Sequence, residues 1–131
     1  MRDYKEYTLL NAKASTGIGN AISVDDLKTV DFSFATDGGG TAALTVKFQG
    51  SISENVPDFS AAQSLSNHWD NIEVIDLQDG TAIDGDVGIS VATADDYRLF
   101  EANVNGLRWV CARVTARTAG SVTVKARGFS N

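Results

Sequence analysis

Val30-Asp31-Phe32-Ser33-Phe34-Ala35, then Asp37-Gly38-Gly39-Gly40, then Leu44-Thr45-Val46-Lys47-Phe48-Gln49: this stretch decides the fold. Apolar side chains recur at every second residue on both sides of a glycine turn. A strand sends successive side chains to opposite faces, so a period of two marks a strand with one buried face. The spacing predicts two antiparallel strands joined as a hairpin. Val30, Phe32, Phe34, Leu44, Val46 and Phe48 would face one core.

The same pattern extends outward along the chain. Residues 107–117 are rich in β-branched and aromatic side chains, Thr118-Ala119-Gly120 is a turn, and residues 121–129 return. Here too a hairpin is expected, with Val110, Ala112 and Val114 on one face beside Val122, Val124 and Ala126. The opposite face would carry Trp109, Cys111, Arg113, Thr115 and Arg117 with Thr123, Lys125 and Arg127, a mixed and basic surface. Further strands fit residues 4–11, 21–24, 69–77, 87–93 and 97–104. Asn105-Gly106 and Asp79-Gly80 are hairpin signals, because both residue types tolerate the positive φ that tight turns require.

Residues 50–67 break the period. They hold the only proline, Pro57, and Ser60 and Gln63 have the spacing of a helix capping box. This connection is expected to cross between sheets and to hold at most one short helix. The whole reads as one all-β domain over residues 1–131, with residues 1–7 as an N-terminal arm. The architecture expected is an antiparallel β-sandwich or jelly roll of about eight to nine strands.

The chain has 131 residues, a formal net charge of −6 and a pI near 4.5. Nucleic-acid affinity comes largely from Lys and Arg neutralising phosphates, so DNA or RNA is not the expected partner. A polybasic membrane contact is disfavoured for the same reason. The single cysteine, Cys111, allows no intrachain disulfide. The first residues are too polar for a signal peptide, and no apolar run has the length of a membrane span.

Few residues point to chemistry. His68 is the only histidine, and no nucleophile is marked beside it. One His and one Cys do not make a zinc site. Asp76, Asp79, Asp84 and Asp86 are calcium candidates, since Asp/Gly loops supply oxygen ligands. Their spacing departs from the EF-hand pattern, and Asp is also an ordinary turn residue. Asp25-Asp26 and Asp95-Asp96 read as turn or capping acids. Gly38-Gly39-Gly40 lacks the Lys and Ser/Thr of a phosphate loop. Trp69, Tyr97 and Trp109 could form a sugar-stacking platform, or belong to core and interface. No catalytic residue and no cofactor is expected.

Five motifs together carry a resemblance: Tyr4-Lys5-Glu6-Tyr7-Thr8-Leu9-Leu10-Asn11-Ala12, Thr16-Gly17-Ile18-Gly19-Asn20-Ala21-Ile22-Ser23-Val24, Thr45-Val46-Lys47-Phe48-Gln49-Gly50-Ser51, the Trp69-initiated strand, and Leu107-Arg108-Trp109-Val110. This layout resembles the small β-sandwich virion proteins of tailed bacteriophages, of the capsid decoration or cement type. The resemblance implies a structural protein of the virion, not an enzyme. It implies the major capsid protein as partner, bound on the outside of the shell, and a homotrimer. Arg2, Tyr4 and Lys5 of the arm, and the basic residues Arg113, Arg117, Lys125 and Arg127, are the partner-binding candidates. A carbohydrate-binding adhesion module and a phage tail or neck component are the alternatives.

Overall fold

A computed structural model describes residues 4–130. Twelve strands and no helix are found among them: β1 (Tyr4–Lys13), β2 (Gly17–Ile18), β3 (Ile22–Ser23), β4 (Thr29–Asp37), β5 (Ala43–Ser51), β6 (Asp70–Asn71), β7 (Val74–Asp76), β8 (Ala82–Ile83), β9 (Ile89–Val91), β10 (Tyr97–Asn103), β11 (Trp109–Ala119) and β12 (Ser121–Phe129). They form two antiparallel sheets packed as a β-sandwich. Sheet I has the order β1-β12-β4-β10-β7-β8. Sheet II has the order β2-β11-β5-β6, with β3 also on β11 and β9 on β5. The eight to nine strands expected become twelve partly because residues 69–77 split into β6 and β7, which lie in different sheets.

Alternation places the core as the sequence indicates. Val30, Phe32 and Phe34 of sheet I meet Leu44, Val46 and Phe48 of sheet II, all buried. The Phe32 and Phe48 rings lie 4.3 Å apart, and Phe34 meets Phe100 edge-on at 6.0 Å. Val110, Ala112 and Val114 face Val122, Val124 and Ala126 across the same interior.

The expected hairpins are corrected. β4 and β5 do not pair with each other, nor do β11 and β12, nor do β10 and β11 across Asn105-Gly106. In all three cases the turn carries the chain from one sheet to the other. Only β7 and β8, across Asp79-Gly80, form the short hairpin expected of that dipeptide. The physical reason is that alternation fixes which face is buried and says nothing of who lies alongside. Two strands facing each other across a core show the same pattern as two strands hydrogen-bonded in one sheet.

The corners themselves are paired. β4 pairs with β12 up to Asp37–Ser121, and β5 pairs with β11 up to Ala43–Ala119. A two-stranded ribbon therefore folds over the end of the sandwich. Gly120 makes its half of the bend with φ +83°, and a Cβ there would lie 2.8 Å from that of Ala42. The Asp95 carboxylate accepts from the amides of Gly38 and Gly40, both at 2.9 Å, and so pins the other half. This is the capping role expected of Asp95.

The arm is also corrected. Residues 4–7 are the first half of β1, paired with residues 126–129 of β12. Arg2 lies outside the described residues, as does the side chain of Tyr4.

Candidate functional site

The two sheets differ in what covers their outer faces. On sheet II, Trp109 and Cys111 of β11 point away from the main core, as do Gln49 and Ser51 of β5. Residues 52–69 run over them. Phe59 and Trp69 come down onto Cys111 and form a second apolar cluster, with Ile18 and Trp109 packed against it. The Phe59 and Trp69 rings are 6.3 Å apart.

This long connection is held by its own hydrogen bonds. The Asn67 amide donates to the carbonyls of Asp58 (2.8 Å) and Ala62 (3.2 Å), and its oxygen accepts from Asp58 N–H at 2.8 Å. Trp69 Nε1 donates to Ala61 O at 3.1 Å, and Trp109 Nε1 to Ser53 O at 3.0 Å. Ser51 Oγ donates to the carbonyl of His68 at 2.6 Å. The expected capping box does not form. The Ser60 hydroxyl and N–H both donate to the Asp58 carboxylate, and Gln63 donates to the carbonyl of Trp69. Those two bonds from Ser60, the hydroxyl first, hold the Asp58 carboxyl below its usual range. The segment is spent on a turn over the sheet, so no helix starts there.

At its tip, Ser64 and Asn67 bridge to each other and leave Leu65 outside, with a relative exposure of 102%. Ile52 and Val56 of the same connection are also exposed. Leu65 and Phe59 were not legible as site residues from spacing. The available signal was β11 itself: an apolar Trp109-x-Cys111 on the face opposite Val110 and Ala112 demands a cover on both sides.

Among the described residues, no connection runs over the Ser33, Leu99 and Lys125 side of sheet I, and all three are exposed. Its outer surface forms a shallow groove of about 520 Å³, lined by residues that include Glu6, Asp31, Ser33, Leu99, Lys125 and Arg127. Tyr97 and Leu99 of β10 stand exposed on it at 77% and 57%, beside the exposed Leu77.

The basic surface expected of Arg113, Arg117, Lys125 and Arg127 is divided. Arg113 lies on sheet II opposite Lys47, and Arg117 Nε donates to Gly120 O at the folded corner (2.8 Å). Lys125 and Arg127 lie on sheet I. The split follows directly from β11 and β12 belonging to different sheets. Lys5 pairs with Asp26 at 3.3 Å on the surface. The aromatic platform is divided too: Trp69 of the long connection and Trp109 beneath it sit over sheet II, and Tyr97 on sheet I.

The acidic candidates are engaged separately. Asp76 is buried, pairs with Arg98 and accepts from Gln78 N–H. Asp79 accepts from Thr81 N–H, which keeps its carboxyl below the usual range. Asp84 accepts from Asp86 N–H, and Asp86 from the Asn71 amide. These are turn-closing roles. Among the described residues, no group of three or more His, Cys, Asp or Glu is placed to hold a metal ion. His68 is exposed, and the contact it makes is through its carbonyl. Cys111 is buried, and that burial pushes its thiol up to about 11.

Neither a protein-family model nor a curated protein sequence matches the chain. Solved structures share its fold, two phage-derived proteins among them. SPBc2 prophage-derived protein YomS matches with a TM-score of 0.68 at 17% identity, over 99% of this chain and 96% of that one. PBSX exported protein XepA matches with a TM-score of 0.73 at 18% identity, over 98% of this chain and 38% of that one. The chain thus corresponds to nearly all of the first and to a little over a third of the second. At these identities the likeness establishes a shared β-sandwich architecture.

Proposed function

We propose that this protein is a phage structural protein that works by adhesion, and in particular a capsid decoration protein seated on the outside of the major capsid shell. The observation that carries this reading is Leu65. A leucine held fully in water forgoes roughly 1.5–3 kcal/mol of burial free energy. Here it is presented by a connection whose conformation is already fixed by Asn67, Trp69 and Trp109. A partner that accepts Leu65 would gain the burial without ordering the loop, which is what preorganisation contributes to affinity. Many copies on one shell would multiply a modest contact. Neighbours of phage origin support the setting.

The test is co-sedimentation with shells assembled from the major capsid protein of the same genome. The wild-type protein is expected to pellet with shells, and Leu65→Ser to lose at least tenfold in apparent affinity while melting at the same temperature. Equal pelleting of both proteins, or none with wild type, would refute shell binding through this loop.

One observation favours a second reading: XepA is named an exported protein. If this chain acts outside the cell rather than on the virion, it will be recovered in the medium or envelope of infected cells and not in purified particles. Labelled protein found only on tails would assign it to the tail or neck.

A further inference from the structure

We infer that the start of β10 carries a carbohydrate site, in which the Tyr97 ring stacks on a neutral pyranose and Gln78, Asp96 and Arg98 hydrogen-bond its hydroxyls. The site is built from β10 and the turn after β7, both in sheet I. It is independent of the role given to Leu65, which lies on the long connection over sheet II.

The ends of two strands make the hollow. β7 pairs with β10 only at Phe100 and Glu101, and Leu77 N–H then donates to Leu99 O at 3.0 Å. Past Leu77 the chain turns away through Gln78, Asp79 and Gly80 towards β8. Tyr97 and Arg98 therefore have a strand partner on the β4 side alone among the described residues. The space left is a hollow of about 450 Å³ lined by Leu77, Gln78, Asp96, Tyr97, Arg98 and Leu99. That volume is ordinary for a small-molecule site.

The polar side chains are held in place beforehand. Asp96 N–H donates to Thr36 Oγ1 at 2.7 Å, and Asp96 O accepts from Thr36 N–H at 3.0 Å, which ties the start of β10 to a buried residue of β4. Arg98 pairs with the buried carboxylate of Asp76, lies 3.6 Å from that of Asp96 and has the Phe100 ring centroid 5.4 Å from its guanidinium carbon. A guanidinium carries more N–H donors than these two acids occupy, and a carboxylate oxygen accepts more than one bond. The exposed Gln78 spends its backbone N–H on Asp76 Oδ1 and keeps its side-chain amide for a ligand. Groups fixed in this way give up little freedom on binding.

The ligand class follows from what lines the hollow. Tyr97 is 77% exposed, with Leu77 and Leu99 beside it, so one side is apolar. The other side offers both donors and acceptors. A pyranose matches the two at once, with an apolar C–H face and a rim of hydroxyls that donate and accept. The carboxylates of Asp76 and Asp96 outnumber the single guanidinium of Arg98, so an anionic ligand is repelled.

Saturation-transfer NMR on the full chain is the measurement, with maltose, cellobiose, lactose and chitobiose as neutral probes and glucuronic acid as the anionic one. At least one neutral disaccharide is expected to bind with a Kd of about 1 mM. Glucuronic acid is expected to give no transfer. Tyr97→Ala is expected to weaken binding by roughly tenfold or more, and Gln78→Ala by less, each melting as wild type does. Tyr97→Phe keeps the ring and should bind as wild type does. Leu65→Ser should also bind the sugar unchanged, which separates this site from shell binding. No transfer to any neutral probe, tighter binding of glucuronic acid, or binding that survives Tyr97→Ala overturns the inference.

Discussion

The outer faces of the two sheets are built from the same alternation and end in opposite conditions. Sheet II carries Trp109 and Cys111 outward and is roofed by Phe59 and Trp69. Sheet I carries Lys125, Ser33 and Leu99 outward, and among the described residues no connection covers them. The difference teaches that a sandwich has one core by construction and acquires a second only where a strand is apolar on both sides. Cover on one face adds a second apolar cluster to the fold, and the exposed rows of the other gain no such burial.

The largest expected effect tests the roof. Trp69→Ala removes a buried indole, with its hydrogen bond to Ala61, and should cost about 3–5 kcal/mol in urea unfolding. Tyr97→Ala, at a large aromatic that is 77% exposed on sheet I, should cost no more than about 0.5 kcal/mol. Equal costs would erase the distinction between the faces.

Smaller, and specific to the covered face, is a dependence on pH. The folded state keeps Cys111 protonated up to about 11, whereas its ordinary value is 9.0. The thiol's contribution is fully present below pH 9 and is lost as pH rises towards 11, because the unfolded chain ionises first. The loss is on the order of 2–3 kcal/mol, since each tenfold difference in proton affinity between the folded and unfolded thiol is worth about 1.4 kcal/mol. Cys111→Ala should flatten stability over that window relative to wild type. A wild-type curve already flat from 9 to 11 would mean that the roof does not seal the thiol.

The smallest effect sharpens the contrast. Leu99→Ser should leave the melting temperature within a degree or two, since surface changes of this kind stay within about 0.5 kcal/mol.

Much of this was legible in the residues. Period two gave the class, the core phenylalanines and the inward valines, because burial of one face is a local property. Strand partnership was not legible. Residues 30–49 and 107–129 read as hairpins, yet both fold over the end of the sandwich, and the basic surface assembled from Arg113, Arg117, Lys125 and Arg127 came apart with them. The division of residues 69–77 between two sheets had no local signal either. The roof could have been anticipated, since Trp109-x-Cys111 opposite Val110 and Ala112 is a strand apolar on both sides. Leu65 could not, because nothing in a run of serines and alanines says which one side chain will be left outside.

β12 lies between β1 and β4, and β11 between β3 or β2 and β5. One interior place in each sheet is thus filled by residues 109–129, between neighbours that come from the first 51. A chain emerging from the ribosome holds an open slot in each sheet until that late ribbon arrives. Assembly therefore waits on long-range closure, slow by the contact-order rule, and both layers lock in a single event.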